Sequence, residues 1–312
     1  MYMIPTHDED SIKSLAAKPP FGYYGAKQRI ARRIASMLPP HNAWVEGFCG
    51  SAALTLAKPP VPIEVINDLD GEIVNLFKQL RDNSEALCES IALTPYSKEE
   101  FESARYQSSS EDPLERARLF LVRTMMAVNA TVGSTRCGFS FSQSYTREQK
   151  EARVSRWYNL PERLSKLVER LRGIRIENRN AIDIVEMFAD RPATLIYLDP
   201  PYFTKREHGY VIDANDEDFH RELLSVCRRA RCMVLISGYD SELYENLLCG
   251  SSKWSKHHIE THTRDTTGKD YSRTEVLWSN RYFDEGVSTG KLRLRLTKKE
   301  VAEQKVNPPR RS

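Results

Sequence analysis

An aspartate, two prolines and a tyrosine close a short apolar run: Leu195-Ile196-Tyr197-Leu198 is followed by Asp199-Pro200-Pro201-Tyr202. The run, rich in β-branched and aromatic residues, predicts a buried strand of a parallel sheet covered on both faces. Neither proline can donate to a sheet ladder, so the strand must end at the carboxylate. Ligands of open α/β sheets sit just beyond the carboxyl ends of the strands, which puts Asp199 and Tyr202 at the mouth of a cleft. The chemistry this suits is activation of an exocyclic amine on a base. Such an amine is a poor nucleophile because its lone pair is delocalised into the ring. Two acceptors aimed at its N–H bonds draw the nitrogen toward a tetrahedral shape. Asp199 Oδ and the Pro200 carbonyl are the candidates, since proline keeps its C=O. Tyr202 would stack on the flat face of the base and hold it in line with a donor.

Other elements must position this corner. Ala43-Trp44-Val45-Glu46 predicts a first strand, Gly47-Phe48-Cys49-Gly50-Ser51 a turn of small residues, and Ala52 to Ala57 the start of a helix. Strand, glycine turn and helix open a nucleotide-binding α/β unit. A GxGxxG fingerprint is absent, which argues against a nicotinamide cofactor. Pro62 to Asp70 predicts the second strand and its end, where a carboxylate can accept from both hydroxyls of a ribose; Asp68 is the candidate. Asp70 is expected to cap a helix over 71–81. Upstream, the glycines of Phe21-Gly22-Tyr23-Tyr24-Gly25-Ala26-Lys27 permit a tight turn, and Lys27 is expected to open an amphipathic helix reaching about Leu38.

These motifs, in this order, resemble the D12-class, Dam-like family of DNA adenine-N6 methyltransferases, whose signature is the Asp-Pro-Pro-Tyr tetrapeptide. The resemblance covers roughly residues 19–282. It implies S-adenosylmethionine (AdoMet) as cofactor and methyl donor, double-stranded DNA as partner, and extrusion of the target base from the duplex. It also implies a Rossmann-like, doubly wound α/β fold with an inserted, mainly helical target-recognition module. Tyr23 and Lys27 match the aromatic and lysine of an AdoMet-touching element, with Ala26 in place of its second glycine. The pattern Pro-Phe-x-Gly-x-Gly is met by Phe48 and Gly50, while Gly47 replaces the proline and Ala52 the last glycine. Glu46, Asp68, Asp183 and Asp199 complete the expected cofactor set. Asp183 can instead be read as an N-cap for residues 184–189.

The implied division is a flexible arm at 1–18, a catalytic part at 19–95 and 174–285, a recognition insert at 96–173, and a basic, mobile tail at 286–312. The overall charge of +3 hides an asymmetry: residues 116–175 carry a net +9 and residues 286–312 a net +6, leaving −12 for the rest. Basic charge gathered in two blocks suits a polyanionic partner. Within the first block, 129–145 alternates Gly, Ser and aromatic residues around Arg136, and Arg147, Lys150, Arg153 and Arg156 follow. Basic and aromatic residues interleaved on loops can hold phosphates and probe base edges. Lys205, in the polar loop after Tyr202, is a further candidate for DNA contact.

No apolar run approaches the roughly 18 residues of a membrane span. The six cysteines are scattered without a Cys-x-x-Cys pair, so a reducing cytoplasm is expected and neither zinc nor a disulfide framework. His220 is expected to be structural, and the histidines of 256–262 to lie on a solvated edge strand rather than on a metal. Two rival activities remain open from the residues: cytosine N4 as target, because the same tetrapeptide serves it, and a DNA-binding relative that has lost catalysis. A restriction partner and the oligomeric state are not legible.

Overall fold

In the structure, a computed structural model, residues 17–22, 27, 30–106, 110–128, 138–142, 149–201, 217–238, 240–251, 253–264 and 270–306 are described. Seven strands form one sheet: β1 (Ala43–Glu46), β2 (Ile63–Asn67), β3 (Ile174–Glu177), β4 (Thr194–Leu198), β5 (Met233–Gly238), β6 (Trp254–Arg264) and β7 (Asp270–Asn280). Their order is β3-β2-β1-β4-β5-β7-β6. The first five are parallel, while β7 runs antiparallel to both β5 and β6. The strand order reverses between β1 and β4, and a crevice at such a reversal is where doubly wound sheets take their ligands.

Both faces of the sheet are covered, and residue alternation assigns each strand side chain to a face. Val45, Val65, Ile196, Leu198, Val234, Ile236 and Trp278 pack under α9 (Ala181–Phe188), α10 (Glu217–Arg229) and α11 (Glu242–Leu248). Trp44, Leu195, Tyr197, Leu235 and Leu277 pack under α1 (Ala31–Ser36), α2 (Ala53–Ala57) and α12 (Arg281–Thr289). Each large apolar side chain so buried contributes roughly 1.5–3 kcal/mol. A third apolar cluster belongs to a helical layer of α3 (Gly71–Asp82), α4 (Ser84–Leu93), α5 (Lys98–Tyr106), α6 (Pro113–Met125), α7 (Ala152–Tyr158) and α8 (Leu160–Arg172). It is continuous with the sheet side through Phe21, Leu56 and Ile66. The fold is therefore the expected Rossmann-like α/β arrangement with a largely helical segment between β2 and β3.

Several local expectations are corrected. The helix expected from Lys27 begins at Ala31, and the Lys27 carbonyl accepts a turn bond from Ile30 N at 2.9 Å. Residues 84–106 hold two helices, α4 and α5. Leu93 is the last helical residue because Thr94 precedes Pro95, and a residue before proline is disfavoured in the α region. Residues 263–264 and 270–273 are strand, since β6 and β7 pair from Trp254↔Asn280 out to Arg264↔Asp270, and 265–269 lie outside the described residues. The tail is ordered as far as 306, through α12 and α13 (Lys298–Val306). Arg293 lies 4.2 Å over the Tyr282 ring and donates to the Arg231 carbonyl at 2.8 Å, while Tyr282 donates to Glu300 at 2.6 Å. These tethers hold the tail against the sheet. Residues 1–16 and 307–312 lie outside the described residues.

Candidate active site

Parallel register brings the carboxyl ends of β1, β2 and β4 to one edge: Glu46 pairs with both Ile66 and Tyr197. Asp199 is the first residue past β4 there, with Pro200 buried and Pro201 half-buried after it. Lys27 Nζ lies 2.8 Å from Asp199 Oδ1 and 3.3 Å from Glu275 Oε1. Ser237 Oγ donates to Glu275 at 2.6 Å. Glu275 reaches this edge because β7 is antiparallel: Val276 pairs with Gly238, the last residue of β5, so Glu275 sits just beyond β5. Burial works against the Lys27 ammonium, yet the charges of Asp199 and Glu275 outweigh it and raise its pKa. Lys27 is thus a fixed cation at neutral pH, and it favours an ionised, acceptor-only Asp199.

The neighbouring corner is built on the glycine turn. Gly50 (φ +48°) donates its N–H to Asp68 Oδ2 at 2.8 Å, and Asp70 N donates to Oδ1 at 3.0 Å. Burial raises the Asp68 carboxyl to about 6 despite these donors. A carboxylate offers about four acceptor positions, so the backbone donors of Gly50, Leu69 and Asp70 do not exhaust Asp68. Asp70 caps α3 as expected, accepting from Glu72 N at 2.8 Å. Asn67 ties the turns together, donating to the Gly47 and Arg179 carbonyls at 2.9 and 3.0 Å.

Both departures from the family glycine motif have a local explanation or consequence. A Cβ on Gly47 would stand 2.6 Å from Leu198 Cδ2, and the Gly47 N–H donates to the Tyr197 carbonyl at 3.0 Å, a bond proline could not make. Ala52 occupies the last glycine position with φ +53°, a left-handed conformation costing an alanine roughly 1–2 kcal/mol.

The structure gathers Lys27, Glu46, Gly50, Asp68 and Asp199 at or beneath one edge. Phe48 is there too, with its ring edge-on to Phe219 at 6.3 Å. Glu46 is sealed below the turn, 3% exposed, where its Oε2 accepts from Thr55 N at 3.0 Å and from the Thr55 hydroxyl. Burial drives its carboxyl up to about 8, against the pull of the Thr55 hydrogen bonds. Asp183 is neither at a strand tip nor a cap. Asn180 caps α9 by accepting from Ile182 N at 2.9 Å, leaving Asp183 exposed in the first turn. Arg153 and Arg156 lie on α7 rather than on a loop, and Lys150 is exposed just before it. Tyr23, Tyr202, Arg136, Arg147 and Lys205 lie outside the described residues. His220 is structural: it is fully buried, with Nδ1 2.8 Å from Tyr244 OH. Sequence reasoning missed Glu275 and Ser237. The available signal was a lone carboxylate heading the apolar run Val276-Leu277-Trp278.

Residues 23–265 match the D12 class N6 adenine-specific DNA methyltransferase family. The chain belongs to that family. A curated relative, the type II methyltransferase M1.LlaDCHI of Lactococcus lactis subsp. cremoris, is 26% identical over 278 residues, spanning 82% of this chain and 93% of its own. Among solved structures, the rRNA methyltransferase aviRa of Streptomyces viridochromogenes is 13% identical, with 93% of this chain and 98% of that one covered at a TM-score of 0.35. A SAM-dependent methyltransferase of Agrobacterium tumefaciens is 10% identical, covering 81% of this chain and 60% of that one at a TM-score of 0.34. At those scores the sheet order, not the likeness, carries the fold. As a D12 methyltransferase the chain transfers a methyl group from AdoMet to the N6 amine of adenine in DNA, and neither cytosine N4 nor loss of catalysis is favoured. The residues present fit the cofactor: acidic side chains at the strand tips suit a sulfonium cation, and the Gly50 turn admits close approach of a ligand. Among the described residues no helix is long and apolar enough to cross a membrane.

Proposed function

We propose that methyl transfer takes place at the Asp199 corner, on an adenine flipped out of double-stranded DNA. The observation that carries this reading is the Asp199 carboxylate at the tip of the central strand β4, held by Lys27 at 2.8 Å beside the turn that follows β1. When bound, AdoMet supplies an already activated methyl group. Asp199 Oδ and the Pro200 carbonyl accept the two N6 hydrogens, and Tyr202 stacks on the base. Lys27, pinned between two carboxylates, orients Asp199 and keeps it ionised. Asp68 and the Gly50 turn hold the ribose end of the cofactor; Tyr23 and Phe48 flank it, and Glu46 supports the turn from below. The methylated amine becomes acidic, and its proton leaves late to Asp199 or to water. Extruding the base costs a few kcal/mol, which phosphate contacts from the basic segment at 96–173 and from Lys205 offset. Residues 19–95 and 174–285 form the catalytic part in this reading. Site-specific action within a restriction-modification system, in the cytoplasm, is consistent with the type II relative.

The test is incubation with duplex DNA and AdoMet, followed by digestion to nucleosides and mass analysis. N6-methyladenosine in the deoxy series is expected; N4-methylcytosine, or no modified nucleoside, overturns the reading.

A further inference from the structure

A second, chemically different cavity lies away from the acidic edge. It encloses about 640 Å3 between the helical layer, through α7 and α8, and the sheet side, through α1, α2 and the segment at 17–21. Four cationic residues line it: Lys18, Arg32, Arg156 and Arg163, with Ser155 and Asn159 as further polar lining. No carboxylate lines it, and among the described residues none pairs with these four cations. Elsewhere on this chain arginines are routinely matched. Arg116 reaches Glu72, Arg118 reaches Glu100 and Glu115, Arg170 reaches Glu64, and Arg231 reaches Asp190.

Arg163 states the imbalance at the level of atoms. Its Nη2 donates to the Pro19 carbonyl at 3.0 Å, but its Nε is sealed from solvent with no acceptor among the described residues. Leaving a charged donor desolvated and unmet is unfavourable, and an oxyanion meeting the remaining Nη hydrogens of the guanidinium would offset that cost. Burial and the nearby Arg156 charge also push the Arg163 pKa down, the direction expected where positive charge is crowded without a counterion. An anion entering the cavity relieves the crowding of positive charge.

We propose that this cavity seats a backbone phosphate of duplex DNA flanking the target site, with Arg163 and Arg156 forking the phosphate oxygens and Arg32 and Lys18 neutralising its neighbours. The occupant follows from charge and place. A phosphodiester presents two anionic oxygens matched to a guanidinium fork. Two of its wall segments lead along the chain to the catalytic edge, since Phe21 lies six residues before Lys27 and Ala53 three after Gly50. A strand held here is therefore gripped jointly by the helical layer and the sheet. The inference rests on the reading of DNA as substrate.

The experiment compares duplex binding of the wild-type chain, Arg32→Gln/Arg156→Gln and Arg163→Lys across a salt series. Arg32 and Arg156 are exposed and make no ion pair among the described residues, so the double variant folds; AdoMet affinity by calorimetry confirms it. Each lost phosphate contact lowers the slope of log K against log salt by about 0.9, so the double variant should fall by roughly 1 to 2 and bind specific and non-specific duplexes equally more weakly. Arg163→Lys keeps the charge and loses the fork, so its slope should hold while affinity drops several-fold. Equal slopes in wild type and double variant, with methyl transfer to DNA intact, overturn the cavity and leave the enzymatic reading standing. A wild-type chain that fails to bind duplex overturns both. Calorimetric binding of inorganic phosphate that depends on Arg163 while the DNA slopes stay equal assigns the cavity to a free anion, which also overturns the proposal.

Discussion

Two buried lysines of this chain each sit in a three-member charge cluster, and the clusters are opposite in composition. At the strand tips, one cation lies among two carboxylates: Lys27 with Asp199 and Glu275. Behind α2, one carboxylate lies between two cations: Glu64 takes Lys58 at 2.6 Å and Arg170 Nη2 at 2.8 Å. The second cluster is closed, with Lys58 and Glu64 at 2% and 3% exposure and Lys58 also donating to the Pro59 carbonyl at 2.7 Å. Burial and the Arg170 charge pull Lys58 down to about 8 even with Glu64 beside it, whereas the two carboxylates raise Lys27. A surplus of negative charge at an opening leaves acceptor capacity for an incoming amine. A surplus of positive charge in a sealed place leaves nothing to offer a ligand, and it joins α8 to β2 and α2. Net sign and access, rather than the presence of an ion pair, separate the reactive cluster from the structural one.

Replacing Asp199 by alanine should break the first cluster where it acts. We expect kcat/KM for methyl transfer to fall by at least about 10^3-fold, with the far-ultraviolet spectrum and AdoMet-free melting unchanged; undiminished transfer of tritiated methyl groups would end the assignment. The second cluster should respond in stability instead. Glu64→Gln strands two buried cations and should cost about 3 kcal/mol in urea unfolding, while the residual folded enzyme keeps its kcat. Loss of kcat without loss of stability would blur the distinction drawn above.

Glu46 sharpens the contrast through pH. Its folded carboxyl at about 8 lies above the ordinary 4.5, so the unfolded chain ionises first and the folded state is penalised as pH rises. The stability it allows is complete below about pH 4.5 and is lost through about pH 8. Glu46→Gln should flatten the unfolding free energy across that window, a difference on the order of 4 kcal/mol at pH 8; parallel profiles for the two proteins would refute the buried acid. The smallest effect should come from Ala52→Gly. Relief of the left-handed strain is offset by the lost buried methyl and the freer unfolded chain, leaving a change within about 1 kcal/mol by thermal unfolding.

Strands β1, β2, β4 and β5 and the tips that carry Asp199, Gly50 and Asp68 were legible because each of these strands is a short, mainly apolar run stopped by a turn former or carboxylate. Lys27 was legible only by motif; its bond to Asp199 spans 172 residues and no periodicity encodes it. Glu275 was hidden because its placement depends on one strand running antiparallel, a choice made by packing of the hairpin rather than by local pattern. The Lys58–Glu64–Arg170 cluster was hidden for a related reason: polar side chains in a sequence read as surface until tertiary contacts pair them. The ordered tail misled because its basic composition resembles a solvated one, whereas Arg293 stacks on Tyr282.

The apolar cluster that runs unbroken from Phe21 and Ile66 through Leu76, Phe77 and Leu80 of α3 to Leu164 and Leu171 of α8 has a practical corollary for redesign. Sequence preference in this enzyme cannot be transplanted as a cassette cut at residues 96 and 173. Such a cut would bare one half of a shared oil drop on either side, so a chimera with a relative must carry α3 and α4 across together with the helices that follow them.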